Sequence, residues 1–284
     1  MRILVVLRCG DQSLHPNWVN EHSNFDVVLS YFGDNLKYDL SHIKHVHYFK
    51  GSKWEGLYDF FKNHKQMWES YDYIWLPDDD LDTSSSNLNN FFSLVNQYKF
   101  DLSQPALTKN SYYSFPFLLQ VSNFTYRKTN YVEVMAPCFS QEAFQKCWGT
   151  FSENKSGWGM DVLWESLLNK ANIGIIDQTP IHHTRPVGSA GNGTGDINSS
   201  PSKDLEQLLQ KYHLQIKNGC FSGLLQNNQI LTSKSELFTH ICIGSAPFRL
   251  ANKYNFNCLY HEVFNPHLPV KSRRARWKKI LGVK

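Results

Sequence analysis

The segment 71–82 constrains the fold of this chain more than any other. Its first half, residues 71–76, is an apolar run of strand length, rich in aromatic and branched side chains, as in a buried strand. Pro77 ends the run. Four acids then follow within five positions: Asp78, Asp79, Asp80 and Asp82. Since ligands collect at the carboxyl ends of strands in open α/β sheets, the acids predict a polar, ligand-facing sheet edge.

The acids at this strand end predict a divalent metal site. Side chains alternate along an extended backbone, so Asp78 and Asp80 are expected on one side and Asp79 on the other. Two neighbouring carboxylates repel each other unless a cation lies between them. Mg²⁺ or Mn²⁺ is the expected occupant, because these hard ions bind carboxylate and phosphate oxygens. The alternative is a solvated loop in which Asp82 and Thr83 cap the following helix.

Length and composition permit one large domain, or a domain with an extension. The chain has 284 residues, of which 41% are hydrophobic and 14% aromatic, enough for a substantial core. No apolar run reaches the roughly 20 residues that a membrane-spanning helix needs. Residues 2–7 read as a first strand directly after Met1, so no signal peptide is expected and a cytoplasmic location is predicted. The six cysteines lack paired zinc spacing and are expected to be reduced thiols.

Strand and helix patterns alternate over the first hundred residues, which is typical of a mostly parallel, Rossmann-like sheet. The chain lacks the Gly-x-Gly-x-x-Gly turn of dinucleotide-binding folds and the Gly-Lys-Ser/Thr of P-loops, so neither is favoured. Predicted strands cover residues 2–7, 25–31, 43–49, 71–76, 101–105, 131–135 and 173–176. Predicted helices cover residues 54–68, 86–98, 141–148, 161–170 and 202–212.

A glycine-rich turn precedes the helix predicted at 161–170. Gly157 and Gly159 allow the backbone to turn sharply and to approach a ligand closely. Trp158, between them, is a candidate stacking platform for a sugar or a base. The alternative is that Trp158 belongs to the core and that Asp161 caps its helix.

A histidine pair and a glycine-rich segment follow the last of these predicted strands. His182 and His183 are candidate metal ligands, although such pairs more often have structural roles. We expect them to converge with the turn at 157–161 and the acids at 78–82, because each group borders a strand or helix end. Residues 187–203 are dominated by Gly, Ser, Asn and Asp, and predict a mobile loop that is either a lid or a linker.

These motifs together resemble those of the GT-A glycosyltransferases. The acids at the strand end resemble the DxD motif, and the turn resembles the Gly-Trp-Gly-x-(Glu/Asp) segment of several inverting members. More closely, the chain is similar to an uncharacterised glycosyltransferase-like family of bacteria and plants. The matching segments are SLHP at 13–16 with Trp18, WLPDDD at 75–80, QPAL at 104–107, VEVMAP at 132–137, SGWGMD at 156–161 and HTRPVG at 183–188. They lie in the same order over about residues 1–190, and the region after residue 200 is not covered.

The resemblance implies a fold and a metal-bound donor. The fold is an α/β, GT-A-like mixed sheet flanked by helices, over residues 1–190. The donor is a nucleotide-diphosphate sugar, expected to be a UDP-sugar, held through Mn²⁺ or Mg²⁺. Asp80, Asp78 and His183 would form the metal site, with Asp80 as a direct ligand and Asp78 contacting the ribose or a metal-bound water.

The resemblance also implies a reaction, the transfer of the sugar to a hydroxyl of a polysaccharide or glycolipid. Asp161 would be the general base that takes the proton of the acceptor hydroxyl in an inverting reaction. Arg185 and the metal would stabilise the leaving diphosphate. Glu133 and Trp158 are expected on the acceptor side, and a retaining mechanism with Glu133 stays open if Asp161 only anchors the acceptor. The implied donor-binding residues are Arg8, Gly10, Asp11, Asp78, Asp79, Trp158 and Arg185.

Residues 204–284 are predicted to form a C-terminal extension that ends in a basic tail. The tail, residues 271–284, holds seven basic residues and no acid, which leaves 22 of the 29 basic residues against all 25 acids in the rest of the chain. We expect the tail to attach the protein peripherally to an anionic membrane surface, on its inner face. The alternatives are a contact with nucleic-acid phosphates, which nothing else suggests, and a solvated terminus.

Two other functional classes remain open from the sequence. One is a non-catalytic carbohydrate-binding protein that keeps the pocket without turnover. The other is a metal-dependent hydrolase or nucleotidyltransferase that acts on sugar nucleotides.

Overall fold

The computed structural model describes residues 1–186, 201–216 and 219–252. Within these residues, ten strands form one continuous mixed sheet in the order β11-β10-β7-β9-β6-β8-β4-β1-β2-β3, and β5 pairs with the end of β9. The strands are β1 Ile3–Cys9, β2 Asp26–Tyr31, β3 His45–Tyr48, β4 Tyr73–Trp75, β5 Leu81–Asp82, β6 Leu102–Leu107, β7 Phe124–Thr129, β8 Cys138–Ser140, β9 Ile173–His183, β10 Cys220–Leu225 and β11 Ile230–Leu231. The helices are α1 Lys53–Asn63, α2 Lys65–Trp68, α3 Ser85–Gln97, α4 Gln141–Cys147, α5 Met160–Leu167, α6 Pro201–Lys211 and α7 Lys234–Asn252.

The first half of the chain forms the parallel part of the sheet. β1 lies between β2 and β4 and is parallel to both, and β3 is parallel to β2. The carboxyl ends of these strands therefore meet at one edge, where Gly10 follows β1 and the acids at 78–80 follow β4. The predicted Rossmann-like first half is confirmed, and it places the acids at the ligand-facing edge.

Helices cover both faces of the sheet, which confirms the predicted α/β class. Side chains of β1 alternate between the two faces: Val5 and Leu7 pack in the cluster that holds α3, while Leu4 and Val6 pack in the cluster that holds α1, α4 and α5. This alternation follows from the two-residue period of a strand. Because both faces are covered, the hydrophobic run of β1 is fully buried.

The second half of the chain is mostly antiparallel. β8 joins β4 to β6, and β9 runs parallel to β6 and antiparallel to β7. β9 is longer than the predicted strand at 173–176, because it pairs with β6 again at Ile181 and continues to His183, where its end pairs with β5. That pairing sets Leu81 opposite His183, so the histidine segment comes to the acids.

One prediction of local structure is wrong, and one alternative is excluded. Residues 131–135 are not a strand but a buried loop, and the strand lies earlier, in β7. The strand escaped prediction because β7 buries Arg127, whose guanidinium is paired with the Asp177 carboxylate of β9 at 2.8 Å. The cap of α3 is also different: Ser84 Oγ accepts from the Asn87 N–H, and Asp82 belongs to β5.

The region after residue 204 contributes to the same sheet. β10 pairs with β7, and a third apolar cluster packs α7 against these strands through Leu237 and Ile241. The predicted basic tail at 271–284 lies outside the described residues, as does the predicted loop or lid except for its last residues, 201–203, which begin α6. The division into a catalytic domain, a lid and an extension stays a prediction.

Two further findings concern the described part of the chain. None of its cysteines forms a disulfide. It contains no helix that is both long enough and apolar enough to cross a bilayer.

Candidate active site

Asp79 ties three loops together at the carboxyl edge of the parallel strands. Its Oδ2 accepts from the Gly10 N–H at 2.9 Å, and its Oδ1 accepts from Arg185 Nη1 at 3.2 Å. Its carbonyl accepts from the Leu14 N–H at 2.8 Å. Burial raises the pKa of the Asp79 carboxyl, and the Gly10 N–H and the Arg185 charge oppose that rise. The structure therefore brings together Gly10, Asp79 and Arg185, three of the predicted donor-binding residues.

Asp80 and His183 form a buried pair beside Asp79. His183 Nε2 lies 3.2 Å from Asp80 Oδ2, and the Nδ1–H of the same ring donates to the Tyr112 carbonyl at 2.7 Å. Thr184 donates to the Asp80 carbonyl through both its N–H and its hydroxyl. Burial lowers the pKa of His183, but the Asp80 carboxylate, the Tyr112 carbonyl and the Asp78 charge together raise it above its usual value. His182 instead lies against the Asn110 carbonyl, so His183 is the histidine of the pair that faces the acids.

The Asp80–His183 pair fits a divalent cation. Asp80 is 8% exposed, yet its Oδ1 has no hydrogen-bond partner among the described residues. An orphaned carboxylate oxygen next to an imidazole nitrogen is a suitable pair of ligands for Mn²⁺ or Mg²⁺. No group of three or more His, Cys, Asp or Glu side chains in the described chain is arranged to hold a metal alone. An ion bound here would need water or phosphate oxygens for the rest of its shell, and the metal stays a prediction.

Asp78 meets a cation that the sequence did not single out. Lys53 Nζ donates to Asp78 Oδ1 at 2.5 Å and to the carbonyls of Leu76 and Val134 at 3.0 and 2.9 Å. The sequence indicates only the position of Lys53, since Ser52 and Glu55 form a capping box that places Lys53 at the first position of α1. Burial raises the pKa of Asp78, and Lys53 is the strongest influence against that rise.

Asp161 and Glu133 form a second group of carboxylates in the same site. Asp161 Oδ2 accepts from the Tyr131 hydroxyl at 2.6 Å, and its Oδ1 accepts from the Val162 N–H at 2.9 Å. Burial raises the pKa of Asp161 to about 6. Gly159 holds the N-cap position of α5, so Asp161 lies within the first turn and does not cap the helix.

Glu133 lies on the buried loop at 131–135, where the sequence had predicted a strand. The side-chain carbonyl of Gln104, in β6, accepts from the Glu133 N–H at 2.6 Å and fixes the loop. Burial raises the pKa of Glu133 to about 7; a hydrogen bond from Ser114 opposes the rise, and the Asp161 charge adds to it. Its Oε2 is buried and has no hydrogen-bond partner among the described residues. Lys53 Nζ donates both to Asp78 Oδ1 and to the carbonyl of Val134, the residue after Glu133, so the two carboxylate groups adjoin in one site.

The turn at 157–159 packs between two helices, α1 and α6. Gly157 and Gly159 have φ values of 77° and 93°, which confirms the predicted sharp turn. A Cβ at Gly157 would lie 1.9 Å from Trp54 Nε1 of α1, so a side chain has no room there. The Ser156 N–H donates to Asp204 of α6 at 3.3 Å. Trp158 is half-buried, and its predicted roles in donor or acceptor stacking stay predictions.

Two predicted donor-binding residues lie beside the acids rather than among them. Arg8 is 4% exposed, and its guanidinium is engaged by backbone carbonyls, those of Ser30, Phe49, Gly51 and Ser52. A direct contact with a donor would require these hydrogen bonds to break, so Arg8 supports the loops around the site. Asp11 is exposed at the surface, where the Tyr31 hydroxyl and the Asn35 N–H donate to its carboxylate and lower its pKa.

A Ser–His–Asp arrangement lies outside this site, and its serine is closed to solvent. His47 Nε2 lies 2.9 Å from Asp59 Oδ2, and its Nδ1 lies 3.0 Å from Ser30 Oγ. Ser30 is 0% exposed, so its hydroxyl cannot meet a substrate. These hydrogen bonds link β2, β3 and α1, which is a structural role.

Residues 19–217 match the model of a family described as a protein of unknown function (DUF707). Because the match spans more than half of the sequence, the chain belongs to the DUF707 family. No curated protein sequence is significantly similar to it.

Solved structures with a similar outline include two of S. aureus TarS. TarS 1–349 is 10% identical, with a TM-score of 0.47 over 65% of this chain and 60% of that chain. TarS 1–349 in complex with UDP-GlcNAc is 10% identical, with a TM-score of 0.49 over 99% of this chain and 80% of that chain. A197 from STIV is 10% identical, with a TM-score of 0.40 over 82% and 95%. Similarity at this level is too low to assign a function.

Proposed function

We propose that this protein is a glycosyltransferase that moves a sugar from a nucleotide-diphosphate donor to a hydroxyl of an acceptor. One observation carries the proposal: two groups of buried carboxylates, with different partners, converge at the carboxyl edge of the sheet. The Asp80–His183 pair, with its free Asp80 Oδ1, suits a metal-bound diphosphate. Asp161 and Glu133, with raised pKa values, suit the removal of a proton from a hydroxyl.

The donor side of the proposed site combines a cation position with fixed positive charges. Asp80 and His183 would hold Mn²⁺ or Mg²⁺, and a bound ion would neutralise charge that develops on the leaving diphosphate. Arg185 lies next to Asp79 and is 34% exposed, so its guanidinium can also contact a phosphate. Asp79 orients that arginine and holds the Gly10 loop, which is where we place the nucleoside.

The acceptor side of the proposed site contains a carboxylate suited to general base catalysis. With a pKa of about 6, Asp161 is mostly ionised at neutral pH and can take a proton. The Tyr131 hydroxyl orients one of its oxygens. The acceptor oxygen would lose its proton to Asp161 and bond to the anomeric carbon, while the bond from that carbon to the diphosphate breaks and its electron pair leaves with the diphosphate. This single displacement inverts the configuration at the anomeric carbon.

The finer parts of the proposal rest on the sequence. A UDP-sugar as donor and a polysaccharide or glycolipid as acceptor follow from the resemblance. A lid at 187–203 and peripheral attachment to an anionic membrane surface through the tail at 271–284 follow from the composition of those segments.

The identity of the product tests this function. The protein should release a nucleoside diphosphate from one of a panel of nucleotide sugars in the presence of Mn²⁺, with water or an added glycan as acceptor. Asp161→Asn should lower this rate by about 10²-fold or more, because general base catalysis contributes about 10²–10⁴-fold. Asp39→Asn, which changes an exposed carboxylate, is the matched control.

Other products would contradict the transferase. Release of sugar phosphate or pyrophosphate would indicate a hydrolase or nucleotidyltransferase. Saccharide binding that survives Asp161→Asn, with no turnover of any donor, would indicate a carbohydrate-binding protein.

A further inference from the structure

The Lys53 ammonium is surrounded by a cage of oxygen atoms at the strand end that carries the acids. Beside its contacts with Asp78 Oδ1, Leu76 and Val134, its Nζ lies 3.3 Å from the Met135 carbonyl. The Lys53 side chain is 17% exposed. An ammonium group has three donors and no acceptor, so these oxygens saturate it.

The cage around the ammonium is made of backbone that is fixed by the sheet. The Leu76 N–H donates to the Pro137 carbonyl at 3.0 Å, and the Asp78 N–H donates to the Met135 carbonyl at 2.9 Å. These bonds continue the pairing of β4 with β8. A metal ion that displaced the ammonium would leave the Lys53 side chain, which is 17% exposed, without its four oxygen partners, which is unfavourable for a largely buried charge.

The two acids of the Asp-x-Asp pattern are therefore not equivalent. Asp78 has one oxygen held by a lysine, whereas Asp80 has one oxygen against His183 and one without a partner among the described residues. The negative charge that a divalent ion would meet is reduced at Asp78 and retained at Asp80.

We propose that Lys53 is a resident cation that takes the place of a metal at Asp78, so that the site binds a single divalent ion through Asp80 and His183. This inference rests on the proposed function, because it concerns the metal of the same site. Asp78 then acts on the ion only through its charge. Lys53 becomes a positioning residue, since it fixes Asp78 and the loop that carries Glu133.

A double-mutant cycle with Mn²⁺ alone tests the inference. The Mn²⁺ affinity of the full chain is measured from the free-ion signal in electron paramagnetic resonance, with no nucleotide present. Asp80→Asn should weaken binding by about 100-fold or more, because loss of even a supporting residue of a metal site costs about 10–100-fold. Asp78→Asn should weaken it by less than about tenfold, because the Lys53 charge is then unopposed. Lys53→Met should tighten it, and Lys53→Arg, which keeps the charge, should not.

The double variant Lys53→Met with Asp78→Asn gives the decisive value, because it removes both charges of the ion pair. Its Mn²⁺ affinity should return to within about threefold of the wild type, since the net charge of the site is restored. If the double variant does not fold, the contrast between Asp78→Asn and Asp80→Asn decides by itself.

The outcomes separate this inference from the proposed function. Wild-type binding that is lost equally in Asp78→Asn and Asp80→Asn would make Asp78 a direct ligand; it would overturn the role of Lys53 and leave the metal-dependent transferase standing. A wild type that binds no Mn²⁺ would overturn the metal site and the inference together.

Discussion

Asp161 and Glu133 show how the same chemical group acquires different properties from its contacts. Both oxygens of Asp161 accept hydrogen bonds, and its pKa is raised to about 6. Glu133 leaves one buried oxygen without a partner among the described residues, and its pKa is raised to about 7. Each carboxyl is therefore easier to protonate than it would be in water, and Glu133 more so.

The free energy of unfolding should depend on pH through Glu133. Between pH values of about 4.5 and 7 the folded state binds a proton at Glu133 that the unfolded state has lost, so stability falls as pH rises through this window. Glu133→Gln replaces the carboxylate by a neutral group of similar shape. At pH 8 this variant should be more stable than the wild type by about 2–3 kcal/mol, and the difference should shrink towards pH 5.

Denaturant unfolding at pH 5 and pH 8 measures this effect. Glu142→Gln is the matched control, because Glu142 is an exposed partner of Lys146 on α4 and its pKa is lowered by that contact. Equal stability of wild type and Glu133→Gln at pH 8 would contradict the assignment of Glu133 as a buried carboxyl with a raised pKa.

At the scale of elements, the site depends on turns and strand ends more than on the middle of the strands. The turn at 157–159 sets the start of α5 and hence the place of Asp161, and it does so by fitting a glycine against the ring of Trp54. The end of β9 and the two residues of β5 bring His183 to Asp80. Each of these pieces is held by neighbours distant in sequence.

Gly157→Ala should be strongly destabilising. The methyl group would overlap the Trp54 ring, and a φ of 77° is unfavourable for alanine. We expect a loss of about 2–4 kcal/mol in the free energy of unfolding, from strain and overpacking together. Gly149→Ala is the control, because a Cβ at Gly149 meets nothing within 4 Å and should change stability little. Similar stabilities of the two variants in denaturant unfolding would contradict the wedged turn.

The sequence predicted the elements that obey simple periodicity and missed those decided by pairing. β1, β2 and β4 were predictable because apolar runs of this length fit buried parallel strands. β7 was not, because Arg127 is buried there only through its pairing with Asp177 of β9, a residue 50 positions away. The loop at 131–135 was taken for a strand because its apolar residues are buried, although they are held in a loop by Gln104.

Residues of the candidate site were predictable where they belong to a recognisable motif. They were not predictable where their role depends on an ion pair with a residue distant in sequence. The acids at 78–80, His183 and Asp161 were identified from their motifs, and the structure brings them together. Lys53 was not identified, because one lysine at the start of a helix is ordinary until Asp78 and the carbonyls around it are in place. Arg8 was expected to contact a ligand because its partners are also distant in sequence: the structure shows its guanidinium engaged by backbone carbonyls.

At the scale of the whole molecule, one edge of the sheet collects loops from much of the chain. Gly10 follows β1, Lys53 begins α1, the acids follow β4, Glu133 and Asp161 come from the middle, and Arg185 follows β9. The sheet continues away from this edge through β7, β10 and β11, whose contacts with α7 form a separate apolar cluster. Binding at the loop edge should therefore stabilise the fold as a whole, because every loop there is anchored in the same sheet.

Thermal unfolding with nucleoside diphosphates tests the central claim most directly. A ligand that binds only the folded state adds RT ln(1 + [L]/Kd), or about 2.7 kcal/mol at a hundredfold excess over Kd. We predict that one nucleoside diphosphate raises Tm in the presence of Mn²⁺ or Mg²⁺, that chelator removes the shift, and that Asp80→Asn does not show it. No shift with any nucleoside diphosphate, or a shift that chelator leaves unchanged, would contradict a metal-bridged donor site.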